Sequence, residues 1–241
     1  QLAGIFAMKK GIEKAKKSKI SIVGLSSNHI GALGQYNLMA AENNLACFSI
    51  CNAGPNVAPH GGNKRFIGTN PISFAIPTKS TPILVDFATS VFPEGKIREY
   101  IDKHLKLPPN IILDPLGNPT DNPHKFYEGG SLLPIGAHKG YGLGVSAIIF
   151  GSIFTGSGFW ALNKQSFSNG TMFILFDPTV FVGNKFYDDI DKFIKELKAQ
   201  PTIEGIDEIL LPGEIELKTR EERLKNGMVI SSTLSKMINT M

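Results

Sequence analysis

The sequence predicts a mixed α/β (α+β) fold built on a sheet that is not purely parallel. Strand-like and helix-like runs alternate along the 241 residues, the pattern of elements layered on a common sheet. Two apolar runs at 72–76 and 82–87 are joined by the short turn Thr78-Lys-Ser-Thr81, a hairpin-like connection rather than a crossover. No G-x-G-x-x-G follows a strand and opens a helix with an acidic residue about 20 positions on, so the fingerprint of a parallel dinucleotide fold is missing. Gly140-Tyr-Gly-Leu-Gly144 is glycine-rich but lacks that context.

The elements follow in order. Residues 2–17 predict an amphipathic helix with Leu2, Ile5, Phe6 and Ile12 on its buried side and five lysines on a solvated face. It opens in mid-pattern with no initiator Met, so the expectation is that the start of the protein is missing. Residues 19–25 predict a buried strand, residues 30–43 a second helix, and 45–51 the next strand. Residues 54–70 form a Gly/Pro/Asn-rich loop, followed by the hairpin strands. A helix is predicted over 94–105, then a long polar loop over 108–130 with Asp-Pro-Leu-Gly-Asn and Asp-Asn-Pro turn signals. Residues 143–154 predict a buried helix, 171–177 a strand, 188–199 an exposed amphipathic helix and 220–241 a terminal helix. The chain is expected to be one domain over residues 1–241, with a C-terminal lobe at about 201–241.

Composition narrows the function classes. A net charge of +4 is too mild for the dense basic stripe of a nucleic-acid binder and only slightly favours anionic ligands. Residues 140–163 carry no charge and could span a bilayer by length, but their many Gly, Ser and Thr residues and the break at Gly156-Ser-Gly158 favour a buried helix and a turn. The two cysteines, Cys47 and Cys51, would lie roughly 13 Å apart on a strand, too far for a disulfide. Free thiols in a cytoplasmic, reducing compartment are the expectation, and no metal is predicted.

The first candidate site is Ser26-Ser-Asn-His-Ile-Gly-Ala-Leu-Gly34, a polar turn between strand and helix. Backbone N–H groups from Ile30 onward would open the helix without intrahelical acceptors, an anion seat suited to a dinucleotide pyrophosphate, with Gly31 and Ala32 leaving room for close approach. At that positive end His29 would be kept neutral and could accept the proton of a substrate hydroxyl. It could equally be a helix cap. The second candidate is His138-Lys139-Gly140-Tyr141, able to hold phosphate or ribose at a helix start, or simply a lysine snorkelling from a core helix. Gly68-Thr-Asn-Pro71, Asp86-Phe-Ala-Thr-Ser90 and Leu211-Pro-Gly-Glu214 are polar ends of apolar strands, where loops line ligand sites or merely turn.

Taken together, Ser27-Asn-His-Ile-Gly-Ala-Leu-Gly34, Pro59-His-Gly-Gly62, Gly68-Thr-Asn-Pro-Ile-Ser-Phe-Ala-Ile-Pro77, Leu84-Val-Asp-Phe-Ala-Thr-Ser90, the run from Leu132 to Leu143 and Leu211-Pro-Gly-Glu214 resemble one family. It is that of the type-2 malate/L-lactate dehydrogenases, with ureidoglycolate and sulfolactate dehydrogenases and the cyclic imine-acid reductases. The resemblance implies a non-Rossmann NAD(P)-binding fold, with a mixed, largely antiparallel sheet wrapped by helices, in a homodimer. It implies hydride transfer between NAD or NADP and a small 2-hydroxy acid/2-oxo acid, with no nucleic-acid or membrane partner.

By the same resemblance, His29 is the proton acceptor. His29, Ile30, Gly31, Ala32 and Leu33 contact cofactor, as do Asp86, Phe87 and Ala88, His138 and Lys139, and Leu211, Pro212, Gly213 and Glu214. Thr69 contacts substrate. Family members also carry an N-terminal helical segment with a Ser-His pair and a substrate-gripping arginine, which these residues do not contain. The expectation is that this segment is absent and the substrate carboxylate has no guanidinium clamp. The imine-reductase branch has an aspartate after the position of Gly95, where this chain has Lys96, which favours the hydroxy-acid branch. The alternatives are a truncated, non-catalytic nucleotide-binding or dimer-forming remnant and a cyclic imine-acid reductase.

Overall fold

The computed structural model describes residues 1–160, 168–230, 235 and 238. Its centre is a five-stranded sheet in the order β1-β8-β2-β3-β4, with every pair antiparallel. The strands are β1 (Ile20–Ser27), β2 (Ala46–Cys51), β3 (Ile72–Ile76), β4 (Ile83–Phe87) and β8 (Asn169–Phe176). The hairpin anticipated from residues 72–87 is the β3–β4 pair, in register from Ile72 opposite Phe87 to Ile76 opposite Ile83.

One face of the sheet is covered by α1 (Leu2–Ser18) and α2 (Gly34–Ala41), over a core containing Met8, Leu33, Tyr36, Cys47, Phe173 and Leu175. The Tyr36 and Phe173 rings meet edge-on at 5.8 Å, a contact worth about 0.5–1.5 kcal/mol beyond area burial. The buried side of α1 is only partly the expected one: Ile12 is buried and Ile5 packs against the core. Leu2 and Phe6 are 85% and 65% exposed, while Gly4, Ala7, Met8, Gly11, Ile12 and Ala15 face inward. Small residues win because the helix lies too close for large ones: a Cβ on Gly4 would stand 2.7 Å from the Tyr36 ring. β1 is likewise not wholly buried, being an edge strand whose outer face exposes Ile20 and Ile22.

The other face carries α5 (His138–Ile148) and a π-helical turn, Ile149–Ile153, over Ile50, Ile72, Ala147 and Met172. The predicted buried helix therefore starts five residues early and is only half covered, with Ile149, Ile153 and Phe154 about half exposed or more. Part of the uncharged segment, residues 161–163, lies outside the described residues. Among the described residues no helix is long and apolar enough to cross a membrane.

The polar stretch 108–130 holds more structure than expected. β5 (Ile112–Leu113), β6 (Pro119–Thr120) and β7 (Ser131–Leu132) form a small antiparallel sheet, with α4 (His124–Tyr127) between the last two. Together with α3 (Glu94–Asp102) they close a second core around Ile97, Ile112, Phe126 and Leu132. Arg65 is folded into it, its guanidinium 4.2 Å above the Phe126 ring and its Nε donating to the Gly130 carbonyl at 2.5 Å. Lys96 sits on α3 with its ammonium 5.5 Å from the Phe92 ring. α6 (Lys185–Lys198) is the expected amphipathic helix and buries no residue. The terminal helix α7 is Glu214–Asn226, earlier than predicted, and most of the predicted span beyond Ile230 lies outside the described residues. Both cysteines are free and buried; burial pushes the Cys51 thiol up to about 11 and the Cys47 thiol higher still.

Candidate functional site

Four separated segments meet along the end of β4. At one end lies the loop Asn28–Leu33. α2 begins at Gly34, not at Ile30, so the N–H groups of Ile30 to Leu33 belong to a loop and not to a helix start. Ile30 is buried and its carbonyl accepts the Tyr36 hydroxyl at 2.5 Å, while Gly31 turns the chain with φ +80°. His29 is exposed in this loop. The positive end of α2 lies five residues further on, at Gly34, and not at His29 as expected.

The first N–H of α2 is also taken: Gly34 donates to Asp86 Oδ2 at 2.7 Å. The anticipated pyrophosphate seat at this helix is thus filled by the protein's own carboxylate. A Cβ on Gly34 would stand 2.9 Å from the same oxygen, which is why the position is glycine. Asp86 keeps one exposed side, but crowding by protein raises its carboxyl above the ordinary range. The charge of Glu216 pushes the same way and the Gly34 hydrogen bond pulls back.

The segment Leu211–Glu214 docks on the free edge of β4. Leu84 N–H donates to the Pro212 carbonyl at 3.0 Å, extending the ladder by one bond. Gly213 has φ +90° and lies so close to Leu84 that a Cβ would stand 2.6 Å from its side chain and 2.7 Å from its carbonyl oxygen. Glu214 starts α7, accepts Leu211 N–H at 3.0 Å and pairs with Lys198 at 2.6 Å, and that lysine holds its carboxyl below the usual range. Between β4 and this segment is a cavity of about 410 Å³, walled by Leu84, Val85, Phe87, Leu210 and Ile215, with Asp86 and Glu216 as its acidic groups.

Beyond Phe87 the chain turns towards the second end. Thr89 donates through both N–H and hydroxyl to the Thr69 carbonyl, at 2.8 and 3.2 Å, which seats Thr69 beside this strand end with its side chain half-buried. Asn70 is fully buried; its amide donates to the Gly144 carbonyl at 2.7 Å and its oxygen accepts Ala53 N–H at 2.8 Å. It pins α5 to the ends of β2 and β3. Thr89 O also accepts Ile135 N–H at 2.9 Å, and the loop 134–137 delivers His138 and Lys139, both exposed, at the start of α5.

The structure therefore gathers Asp86, Phe87, Ala88, Leu211, Pro212, Gly213 and Glu214 at one end, and Thr69, His138 and Lys139 at the other. The stretch 86–90, which leaves the strand after Phe87 and bends at Thr89, joins them. His29 to Leu33 reach the first end through Gly34. Sequence reasoning missed Asn70, the pin, although its Gly-Thr-Asn-Pro setting marks it, and missed Asp86 as a helix cap, which only tertiary pairing reveals. The parts fit a nucleotide: apolar walls and a carboxylate suit a ribose-bearing group, and a Lys-His pair suits a phosphate.

Comparison with known proteins identifies the fold and the family. The family model "Malate/L-lactate dehydrogenase" matches residues 1–239. Malate dehydrogenase of Pyrococcus horikoshii is 36% identical over 252 residues, covering 99% of this chain and 70% of that protein. The crystal structure of malate dehydrogenase from Entamoeba histolytica superposes with a TM-score of 0.92 at 28% identity, covering 98% of this chain and 72% of that one. Delta1-piperideine-2-carboxylate reductase from Pseudomonas syringae superposes with a TM-score of 0.82 at 29% identity, covering 95% and 70%. The chain thus spans about 70% of the length of these relatives. With a family match over almost every residue and the same fold in the solved relatives, this chain belongs to the malate/L-lactate dehydrogenase family.

Proposed function

We propose that the chain is a nicotinamide-dependent oxidoreductase interconverting small 2-hydroxy acids and 2-oxo acids. The observation that carries this reading is the convergence of Asp86–Ala88, Leu211–Glu214, His138 and Lys139 on β4 and the turn that follows it, with the His29 loop reaching it through Gly34. NAD or NADP, when bound, would supply the hydride chemistry at the carbon that bears the hydroxyl.

The chain's residues do the rest. Asp86 accepts hydroxyl groups of a ribose, and Lys139 with His138 neutralises phosphate. Backbone N–H groups of Ile30 to Leu33, free of helix duty, offer further donors. His29 accepts the proton of the substrate hydroxyl as the 2-hydroxy acid is oxidised and returns it in the reverse direction. Thr69 donates to the acid.

The test is loss of reduced-nicotinamide absorbance with oxaloacetate, pyruvate or sulfopyruvate and either NADH or NADPH. His29→Ala lowers turnover by about 10²–10⁴-fold, with cofactor affinity little changed. Near-normal turnover in that variant would reduce His29 to a loop residue. Cofactor binding without turnover of any acid would favour a non-catalytic remnant. Turnover of cyclic imines alone would move the chain to the reductase branch, against which Lys96 on its phenyl ring speaks.

The same reading includes a homodimer in the cytoplasm. Leu143, Ile149, Phe150, Ile153 and Phe154 form an apolar surface of a kind that single folded chains rarely leave open to water. Sedimentation equilibrium is expected to give twice the chain mass, and Phe154→Asp to shift the mass towards one chain.

A further inference from the structure

The segment Pro59-His-Gly-Gly62 has no role in the reading above. Gly62 N–H donates to the Pro59 carbonyl at 2.9 Å and Gly61 has φ +83°, the geometry of a type II turn with His60 at its second position. That turn fixes the His60 backbone and leaves its ring exposed. The ring centre lies 6.1 Å from that of His138, with the planes inclined at 60°.

His138 is held by an equally particular backbone. Gly136 has φ +57°, and Ala137 has φ 56° and ψ −114°, a conformation that suits glycine and strains an alanine. Such strain persists only where the surroundings impose it, and here the hydrogen bonds of Ile135 to Thr89 and of Gly140 to Ile135 do so. The two turns enclose a cavity of about 410 Å³ lined by His60, Asn110, Pro134, Gly136 and Ala137, among other residues, and by no carboxylate.

An imidazole nitrogen lies only about 1.2 Å from its ring centre, so with a nitrogen of each ring turned towards the other the pair stands beyond direct hydrogen bonding but within reach of one oxygen between them. Every imidazole keeps at least one N–H donor whatever its charge.

We propose that His60 and His138 form an oxyanion site, each donating to one anionic group seated at the mouth of this cavity, with the Asn110 amide as a third donor. Two sources carry that chemistry: a phosphate of the nucleotide, or the second acidic group of a dianionic 2-oxo acid. Only the choice between them rests on the proposed oxidoreductase function.

The experiment follows the histidine side-chain signals by NMR while pyrophosphate or malonate is added to the whole chain. The His60 and His138 signals are expected to move together on one saturation curve. His60→Gln, an exposed substitution whose folding a thermal melt checks, is expected to weaken that binding by about tenfold, the equivalent of about 1.4 kcal/mol. Competition by NADH against pyrophosphate assigns the cofactor as the source; loss of affinity for malonate, with pyrophosphate unchanged, assigns the acid. Signals that stay still, that follow two different curves, or that respond unchanged in His60→Gln overturn the site. Turnover of 2-oxo acids with still imidazoles would sink the site and leave the function standing. Moving imidazoles without any nicotinamide binding would do the opposite.

Discussion

The starts of α2 and α5 resemble one another in sequence, each a polar, glycine-bearing turn running into an apolar helix, yet the fold uses them in opposite ways. At α2 the first N–H is capped from across the sheet by Asp86, so this helix start carries its own anion. At α5 the N–H groups of Lys139, Gly140 and Tyr141 bond back to the carbonyls of Gly136, Ile135 and Ala137. Most of the first backbone donors of both helices are therefore taken by the chain itself. What reaches outward at α2 is a carboxylate, a hydrogen-bond acceptor; at α5 it is a lysine and a histidine, both able to donate. A helix start is a ligand seat only where the chain leaves it open, and on the proposed reading it is side chains, not the dipole, that make one end of the site accepting and the other donating.

The comparison breaks most severely at Gly140. A Cβ there would lie 2.2 Å from the Ile135 carbonyl oxygen and 2.7 Å from that of Thr89, both backbone atoms that cannot give way alone. Gly140→Ala is expected to cost at least about 3 kcal/mol, which for a chain of this size lowers Tm by roughly 6–12 °C. Two residues on, Gly142 has open space around its Cβ direction, so Gly142→Ala should hold or raise Tm through helix propensity alone. Calorimetry on the pair isolates close backbone approach from helix propensity. Equal melting points would mean that the loop 134–137 does not fix α5.

A smaller effect is expected at the donating end. Lys139→Ala should weaken nucleotide binding about 5- to 100-fold, the worth of a charge-assisted contact, with Tm unmoved because the side chain is exposed. Fluorescence titration with NADH and NADPH measures it. Unchanged affinity for both would return Lys139 to a solvated lysine and leave the donating end to the histidines.

How far the sequence alone could reach differs from element to element. The β3–β4 hairpin was legible from alternation and its turn, and the candidate segments were legible because each interrupts an apolar run with Gly, Asn, Asp or His. The start of α2 was misplaced by four residues because Ile30 and Leu33 are apolar at helical spacing; they are buried as a loop anchored by the Tyr36 hydroxyl. On α1, Ile5 and Ile12 lie on the core as expected, but Leu2 and Phe6 do not, because size alone does not decide burial. The signal that the helix buries Gly4, Ala7, Met8, Gly11 and Ala15 lies in the small-residue stripe itself, which marks close approach. The two-residue strands of the small sheet carry no period to read. Most of all, the pairing of Asp86 with Gly34 joins residues 52 positions apart, and only the folded sheet brings them together.

The smallest effect, and the one that sharpens the comparison furthest, concerns Asp86 itself. Its carboxyl is raised chiefly by loss of water contact, with Glu216 adding to the rise, so the fold holds the proton more tightly than the unfolded chain does. The sign follows. As pH climbs from the ordinary carboxylate range through the raised folded value, this site makes the wild-type protein less stable, because ionisation is harder in the folded state. Asp86→Asn keeps an oxygen to accept Gly34 N–H but removes the charge, so that part of the pH dependence should vanish and Tm at neutral pH should hold or rise. Affinity for NADH should move the other way, weaker by about 3- to 10-fold, since a neutral amide is a poorer acceptor for a hydroxyl than a carboxylate. Melting curves from pH 3 to 8 with NADH titrations at neutral pH read both. A variant that loses stability at neutral pH would show that the charge serves the helix. A gain in stability with weaker binding would show a carboxylate kept for its ligand at the fold's expense.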